Sequence, residues 1–313
     1  MTQRRMTTQV SYELVPPESG APAPKPDLLP AFVCVLTCAQ FTCYALYRSH
    51  ASRGVCDADT LTASEVIKLL FSICMCAFQK KLHFPLLRSW LEGLIPTLCF
   101  LIMNMIAFHC TTLVSASVFV VLMQLKLVFT SILSYFCLHR SYSTARWFAI
   151  SFVALGCIGA TKPPTVGIVD SSGFWWGVGG LLLETVLSSG CAVYMQRLLQ
   201  VDLWMRNVQL ASLSIVAYRV VHSFDTRCAI ASSWGFNDAA LAALGAFGGI
   251  VVALTLRYAG ATEKTLSTSM SIVITSTVES MMTGNVITVQ TGAASLTVIM
   301  GGVMWTADRS PAV

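Results

Sequence analysis

Residues Leu113 to Leu138 have the sequence LVSASVFVVLMQLKLVFTSILSYFCL, in which Lys126 carries the only charge. An α-helix of this length would reach about 39 Å, whereas the hydrocarbon core of a bilayer is about 30 Å thick. A charge near the centre of such a span costs about 2.5–3.5 kcal/mol on insertion scales. A chain that keeps Lys126 there is therefore expected either to pair this charge or to use it.

The whole chain has the composition of a polytopic membrane protein. Of its 313 residues, 55% are hydrophobic and 11% are charged, whereas soluble domains carry about 25% charged residues. The mean hydropathy is +0.69. The fold class predicted from these values is all-α integral membrane, with ten transmembrane helices. The ten apolar spans are expected at about 28–48, 60–79, 91–111, 113–138, 145–161, 173–199, 204–224, 236–258, 263–284 and 286–305.

The basic residues lie mostly on one side of the predicted bundle. Of the twenty lysines and arginines, thirteen lie on the N-terminal tail, the even loops or the C-terminus, and five lie on the opposite side. The positive-inside rule then places both termini in the cytosol. The chain is predicted to comprise a disordered, proline-rich cytosolic tail (1–27), a transporter domain (28–305) and a short cytosolic C-terminus (306–313).

The two halves of the chain resemble each other weakly. Leu113-Val-Ser-Ala-Ser opens the fourth span and Leu266-Ser-Thr-Ser opens the ninth, and each is followed by a span that contains two glycines. An odd number of spans in each half inverts the second half relative to the first. The sequence therefore predicts two five-helix inverted repeats, at about 28–161 and 173–305, an arrangement typical of secondary transporters.

Motifs of soluble enzymes are missing from the sequence. It contains no HExxH, Walker A or GxSxG motif, and its five histidines are dispersed. Most of the twelve cysteines lie within spans and none forms a CxxC pair, so they are predicted to pack as small apolar residues. Cys56 and Cys228 fall in loops on the non-cytoplasmic side, where thiols can oxidise. We expect neither an enzyme nor a cofactor, a metal site or a nucleic-acid partner.

Lys126 has two interpretations. It shares a helix face with Phe119 and Thr130, and a cation beside a hydroxyl suits an anionic solute in a water-filled cavity. The alternative is an internal ion pair with Glu184 or Glu279. Ionisable groups inside a membrane are functional candidates by default.

A second lysine and a charged pair are further candidates. Lys264 lies at the start of the ninth span, where it either faces the cavity or extends to lipid phosphates as an interfacial cation. If it faces the cavity, two lysines meet one anion, and phosphate suits them. Glu65 and Lys68 lie three residues apart on the second span, which indicates a local structural pair or a gating contact. Four neutral residues could line the same cavity or form helix contacts: Asn104, Ser189, Tyr194 and Asn207.

Several of these motifs, in this order, are similar to those of a known family. They are Ala63-Ser-Glu-Val-Ile-Lys-Leu-Leu, Ala107-Phe108, the stretch from Leu113 to Leu127, Ser143, Trp147, Gly156, Tyr194, Leu203-Trp-Met-Arg-Asn-Val-Gln, Gly248-Gly249, Arg257-Tyr258, Lys264 and Ser267. Together they resemble the pyrimidine nucleotide-sugar transporters of the Golgi, which belong to the drug/metabolite transporter superfamily and include transporters of CMP-sialic acid, UDP-galactose and UDP-N-acetylglucosamine.

The resemblance implies a ten-span transporter in the Golgi membrane, with the endoplasmic reticulum as the alternative, and with cytosolic termini. It implies an antiporter that exchanges a cytosolic UDP- or CMP-linked sugar for a lumenal nucleoside monophosphate. The residues matching Lys126 and Lys264 contact the nucleotide's phosphate, and those matching Asn104, Ser189 and Asn207 line the site. The implied partners are the two nucleotides and the bilayer, and a homodimer or a glycosyltransferase complex stays open.

Three positions depart from the pattern of this family. Met123 replaces a tyrosine before Gln-Leu-Lys, Met105 replaces the second of two asparagines, and Ala211 stands where a tyrosine is common. Two of these changes remove aromatic hydroxyls that could stack on or bond a nucleotide. Two alternatives follow: a transporter of the same fold for another phosphorylated metabolite, or a non-transporting member that acts as a partner of a glycosyltransferase.

Overall fold

A computed structural model describes residues 28–50, 56–80, 87–110, 113–114, 116–159, 171–224, 234–282 and 289–308. The N-terminal tail predicted for residues 1–27 lies outside this part of the chain. The described residues form ten helices, which follow one another as α1 (Leu28–His50), α2 (Asp57–Phe78), α3 (Leu87–Cys110), α4 (Ala116–Leu138), α5 (Thr144–Gly159), α6 (Ser171–Val201), α7 (Leu203–Phe224), α8 (Phe236–Tyr258), α9 (Ala261–Met282) and α10 (Val289–Ala307).

The helices agree with the predicted spans in order but differ from them at their ends. α4 begins at Ala116 rather than Leu113, so it is about 34 Å long, which still exceeds a bilayer core. α3 begins at Leu87, four residues before the predicted span. The added first turn is exposed or half-buried, whereas Glu92, in the second turn of α3, is bound by Arg206 of α7. Thr111 and Thr112, where the predicted third span meets the fourth, lie outside the described residues.

The outer surface of the bundle suits lipid. In the described residues, four helices are long and apolar enough to cross a membrane, at Leu28–Arg48, Ala58–Phe78, Gly173–Gln200 and Phe236–Tyr258, and three shorter apolar segments lie in α4, α5 and α10. On α10, Leu296, Ile299 and Val303 form one stripe, and each is more than half exposed. An apolar stripe that faces outward is unfavourable in water and favourable in hydrocarbon.

Hydroxyl groups join the helices inside the bundle. The hydroxyls of Thr37 on α1 and Thr255 on α8 are 2.6 Å apart. Thr185 on α6 donates to the carbonyl of Leu122 on α4 at 3.5 Å, and Ser189 donates to the carbonyl of Lys126 at 3.2 Å. Because both numbers increase together, α4 and α6 run parallel. Interhelical hydrogen bonds of this kind are common in membrane bundles.

α5 and α10 contact each other through two glycines. A Cβ atom on Gly156 would lie 2.6 Å from Cγ2 of Val298, and a Cβ atom on Gly301 would lie 2.7 Å from Cγ2 of Val153. The later residue of one helix therefore meets the earlier residue of the other, so the helices are antiparallel. The two contacts are also interchanged when the helices are interchanged, as in a two-fold interface.

The principal helix pairs show the same two-fold relation between the first five helices and the last five. α4 packs on α6 and α9 packs on α1; α3 packs on α6 and α8 packs on α1; α3 packs on α7 and α8 packs on α2. The pairs α2 with α7, α4 with α9 and α5 with α10 complete the set. Replacing each helix of the first five by its counterpart among the last five leaves this set unchanged.

Candidate functional site

Lys126 lies near the middle of α4 and is half-buried. Among the described residues, its ammonium group has neither a hydrogen bond nor an ion pair. It attracts the carboxylate of Glu184 on α6, but the two groups do not form an ion pair in this structure. The lysine therefore lies between helices, and no residue that the structure describes pairs with its charge.

Lys264 lies in the first turn of α9 and is also half-buried. Its Nζ atom is 5.6 Å from the centre of the Phe41 ring on α1, a cation–π distance. It repels Lys126 electrostatically, which means that the two ammonium groups approach one another inside the bundle. No carboxylate of the described residues pairs with it, because the adjacent Glu263 is bound by Arg140.

Among the described residues, Glu184 is the acidic group with the strongest electrostatic attraction to Lys126. Its side chain is buried, with 9% of its surface exposed, and its Oε2 atom has no hydrogen-bond partner. The sequence suggested it only as an alternative ion-pair partner for Lys126. Its signal in the sequence was an acidic residue within a long apolar span, where such groups are rare.

Glu65 and Lys68 form a local pair on α2. The ammonium of Lys68 lies 2.6 and 2.7 Å from the two carboxylate oxygens of Glu65. The stem of Lys68 packs on Gly249 of α8, where an added Cβ would lie 3.0 Å from Cδ of the lysine. The charges neutralise each other at the contact between α2 and α8, and in the described part of the chain neither bonds to Lys126 or Lys264.

The neutral candidates occupy different positions. The hydroxyl of Ser189 is fully buried and is used in the contact between α4 and α6. The Tyr194 hydroxyl donates to the carbonyl of Glu92 at 3.2 Å. Asn207 is buried on α7, and its Nδ2 atom has no hydrogen-bond partner. The backbone of Asn104 belongs to α3, but its side chain lies outside the described residues.

The three departures from the family pattern also differ in position. Met123 is half-buried on α4 and packs with Phe119 and Leu122 against Leu181 of α6. Met105 is 64% exposed and points away from the bundle interior. Ala211 is fully buried in α7.

Ion pairs concentrate at the end of the bundle where α4 ends and α9 begins, here called the Arg140 end. Arg140 bonds to Glu263 at 3.0 Å and to the carbonyl of Ala259. Gly260 has φ +123°, and a Cβ on it would lie 2.5 Å from the Arg140 guanidinium. Glycine is therefore required at this joint by both its conformation and its space.

Two further arginines are bound at the Arg140 end. Arg206, counted above as a loop charge, is instead buried in the first turn of α7, where it bonds to Glu92 at 2.6 Å and to Ser89. Arg146 pairs with Asp308 at 3.3 Å and lies over the Trp305 ring. These interactions join distant parts of the sequence, so charge spacing along the chain did not predict them.

The opposite end of the bundle carries a different cluster. On α2, the Oδ1 atom of Asp59 lies 3.3 Å from Nη1 of Arg219 and 3.2 Å from Nδ1 of His222, both on α7. Cys56 lies within 4.8 Å of Asp59 and His222, but it is disulfide-bonded and offers no thiolate to a metal. Cys228, the other loop cysteine, lies outside the described residues.

Comparison with known proteins identifies a transporter family, which agrees with this geometry. The nucleotide-sugar transporter family matches residues 33–306 of this chain. The chain belongs to this family. The resemblance inferred from the sequence motifs is thereby confirmed, and so is the expectation of a membrane transporter rather than an enzyme.

Characterised relatives of this nucleotide-sugar transporter are moderately similar. A UDP-N-acetylglucosamine/UDP-N-acetylgalactosamine transporter of Caenorhabditis elegans is 27% identical over 67% of this chain and 67% of its own length. A UDP-galactose transporter of Schizosaccharomyces pombe is 29% identical over 68% and 67%. The human UDP-N-acetylglucosamine transporter is 26% identical over 72% and 75%.

A solved crystal structure shares the fold. It is 15% identical to this chain and has a TM-score of 0.71, with 88% of this chain and 98% of the other chain covered. At this identity the likeness concerns the arrangement of helices alone.

Proposed function

We propose that this protein is an antiporter that exchanges a cytosolic pyrimidine nucleotide sugar, linked to UDP or CMP, for a lumenal nucleoside monophosphate. The observation that carries the proposal is the pair of half-buried lysines, Lys126 on α4 and Lys264 on α9, which approach each other without an ion pair from the described residues. The relatives are described as transporters of UDP-sugars, which supports the same class of substrate here.

The electrostatics of this site favour a multivalent anion. Lys126, near the middle of α4, costs about 2.5–3.5 kcal/mol at the centre of a membrane, and the repulsion between Lys126 and Lys264 adds to this cost. A nucleotide's phosphate groups would neutralise both charges at once, and an ammonium binds phosphate as a compact point charge. A cationic substrate would instead increase the repulsion.

The nucleoside would lie towards the Arg140 end. Asn207 presents a buried amide nitrogen with no partner, which could donate to a carbonyl of a pyrimidine base. Tyr194 lies nearby in the structure, since both it and the neighbouring Arg206 bond to Glu92. The family resemblance adds Asn104 and Ser189 to these residues. Ser189 would act indirectly, because its hydrogen bond to the carbonyl of Lys126 positions α4.

Ten spans arranged as two inverted repeats, about 28–161 and 173–305, would supply the movement. The antiparallel, reciprocal contact of Gly156 and Gly301 supports this architecture, as does the interchangeable set of helix pairs. In such folds the substrate site lies at the repeat interface, and the repeats rock around it. Lys126 and Lys264 belong to different repeats, as this mechanism requires.

The proposed orientation places the Arg140 end in the cytosol, together with both termini. The excess of basic residues on this side supports it. The disulfide at Cys56 belongs to the opposite end, and disulfides persist in oxidising compartments such as the secretory pathway. We therefore propose a multi-pass Golgi membrane protein, with Arg140 and Glu263 holding the cytosolic end closed between α4 and α9.

Uptake into proteoliposomes tests the proposal. Vesicles are preloaded with UMP, CMP or GMP and given a panel of labelled nucleotide sugars, using the wild type, Lys126→Ala, Lys264→Ala and the matched control Lys80→Ala, an exposed lysine outside the helices. We expect trans-stimulated uptake that is lost in the first two variants and kept in the control.

The alternatives give different results in the same assay. Uptake of other phosphorylated metabolites, without stimulation by any nucleoside monophosphate, would indicate another solute. If folded protein takes up no nucleotide sugar, the exchanger proposal is wrong, and binding to a glycosyltransferase becomes the function to test.

A further inference from the structure

Glu184 is a buried carboxylate that has no partner in the part of the chain that the structure describes. It is 9% exposed, and within the described residues it has neither a hydrogen bond nor an ion pair. Placing a charged carboxylate in such surroundings is costly unless donors surround it. A ligand beside Glu184 would supply such donors.

The register of α4 and α6 locates that space. Ser189 bonds to the carbonyl of Lys126, so Lys126 lies level with Ser189 along α6. Glu184 precedes Ser189 by five residues and Tyr194 follows it by five, which at 1.5 Å per residue is about 7.5 Å in each direction along the axis. Along the helix axis, the backbone of Lys126 thus lies between the level of Glu184 and the level of Tyr194.

Glu184 also faces the lysines rather than lipid. Its carboxylate and the ammonium of Lys126 attract each other. Cys191 lies two turns further along the same face of α6, and it is close enough to interact electrostatically with both Lys126 and Lys264. The face of α6 that contains Glu184 therefore lines the region that the two lysines share.

The chemistry of a carboxylate decides what it can bind there. An ionised carboxylate only accepts hydrogen bonds, so it repels phosphate and selects groups rich in hydroxyl or amide donors. A nucleotide sugar carries its phosphates between the nucleoside and the sugar. The same order is found along the paired helices, with Tyr194 and Glu184 on α6 and Lys126 of α4 between their levels.

We propose that Glu184 binds the sugar of the nucleotide sugar by accepting hydrogen bonds from its hydroxyl groups, and that it thereby distinguishes the loaded substrate from the nucleoside monophosphate. This inference rests on the proposed function and adds a sugar subsite to it. A site built to bond a hydroxyl strongly disfavours a ligand that lacks it, so Glu184 would give the nucleotide sugar an advantage over UMP.

The test compares ligands with and without the sugar. Inhibition constants for UDP-galactose, UDP-N-acetylglucosamine, UDP and UMP are measured against labelled substrate with the wild type, Glu184→Ala and the isosteric Glu184→Gln. The matched control is Glu279→Gln, an exposed acidic residue of α9. We expect Glu184→Ala to weaken the binding of the UDP-sugars by about 10- to 100-fold, the range for a lost hydrogen bond to a charged group. Glu184→Gln should weaken their binding less.

The constants for UDP and UMP should stay within about twofold of the wild type, and Glu279→Gln should leave all four unchanged. Equal weakening of all four ligands by Glu184→Gln would overturn the sugar subsite, since Glu184 would then act on the nucleotide through Lys126. No change for the UDP-sugars would also overturn it. Failure of the wild type to exchange any nucleotide sugar would instead refute the proposed function.

Discussion

The reciprocal contact of α5 and α10 gives a prediction that tests the internal two-fold. In Gly156→Ala, the new Cβ would lie 2.6 Å from Cγ2 of Val298 and 2.9 Å from a backbone carbonyl of α10. In Gly301→Ala, it would lie 2.7 Å from Cγ2 of Val153 and 2.8 Å from a backbone carbonyl of α5. Backbone atoms cannot turn aside as a flexible side chain can, so the helices must separate by several tenths of an ångström.

The expected cost follows from these distances. Overpacking of this kind costs about 1–3 kcal/mol, and replacing glycine by alanine within a helix recovers about 0.5–1 kcal/mol. The net loss of stability is at most about 2.5 kcal/mol for each variant, and about 1 kcal/mol at the midpoints of these ranges. A loss of about 1 kcal/mol would lower the Tm by about 2–4 °C. Because either substitution separates the same two helices, the double variant should lose less than the two single losses combined.

Thermal unfolding of the purified transporter in detergent measures these effects. Gly179→Ala and Gly292→Ala are the controls, since a Cβ at either position meets nothing within 4 Å, and their Tm should stay level or rise. A large effect of Gly156→Ala without an equal effect of Gly301→Ala would refute the two-fold contact. Losses in the controls of the same size would show that glycine matters here for another reason.

Two further predictions concern the ends of the lysine-bearing helices. Single charge reversals at Arg140 or Glu263 should slow exchange, and the double reversal should restore it. In thermal unfolding the two sites should show a coupling energy of about 0.5–3 kcal/mol. Strictly additive losses would argue against an ion pair that holds the cytosolic end closed. Phe41→Leu should weaken the binding of UMP by about 2- to 5-fold, because the cation–π contact with Lys264 contributes about 0.5–1 kcal/mol. Phe41→Trp should keep the affinity, and an equal loss in both variants would indicate packing instead.

Hydropathy and charge in the sequence are sufficient to identify a helical membrane protein, and the ten apolar segments of the sequence predict the ten helices. Apolar side chains and a paucity of charge exclude a water-exposed surface whatever the packing, so composition alone carries this result. Lys126 was a candidate for the same reason, because a charge inside an apolar span is costly in any arrangement of helices. The ordered motifs identified the family, which the match over residues 33–306 confirms.

The partners of these residues depended on tertiary structure. Periodicity shows which residues share a face of one helix, but it does not say which other helix that face meets. Arg206, one of the thirteen basic residues on the side of the termini, is bound by Glu92 of α3, and Met105, one of the departures from the family pattern, faces outward.

The same limit applies to the relation between Lys126 and Glu184, 58 positions apart in the sequence. Their proximity is set by the hydrogen bonds that hold α4 and α6 in parallel register. The cost of burying each charge is a local property of its span, and the sequence by itself determined it. Whether that charge meets a partner or is left for a ligand depends on the packing of helices, which only the tertiary structure decided.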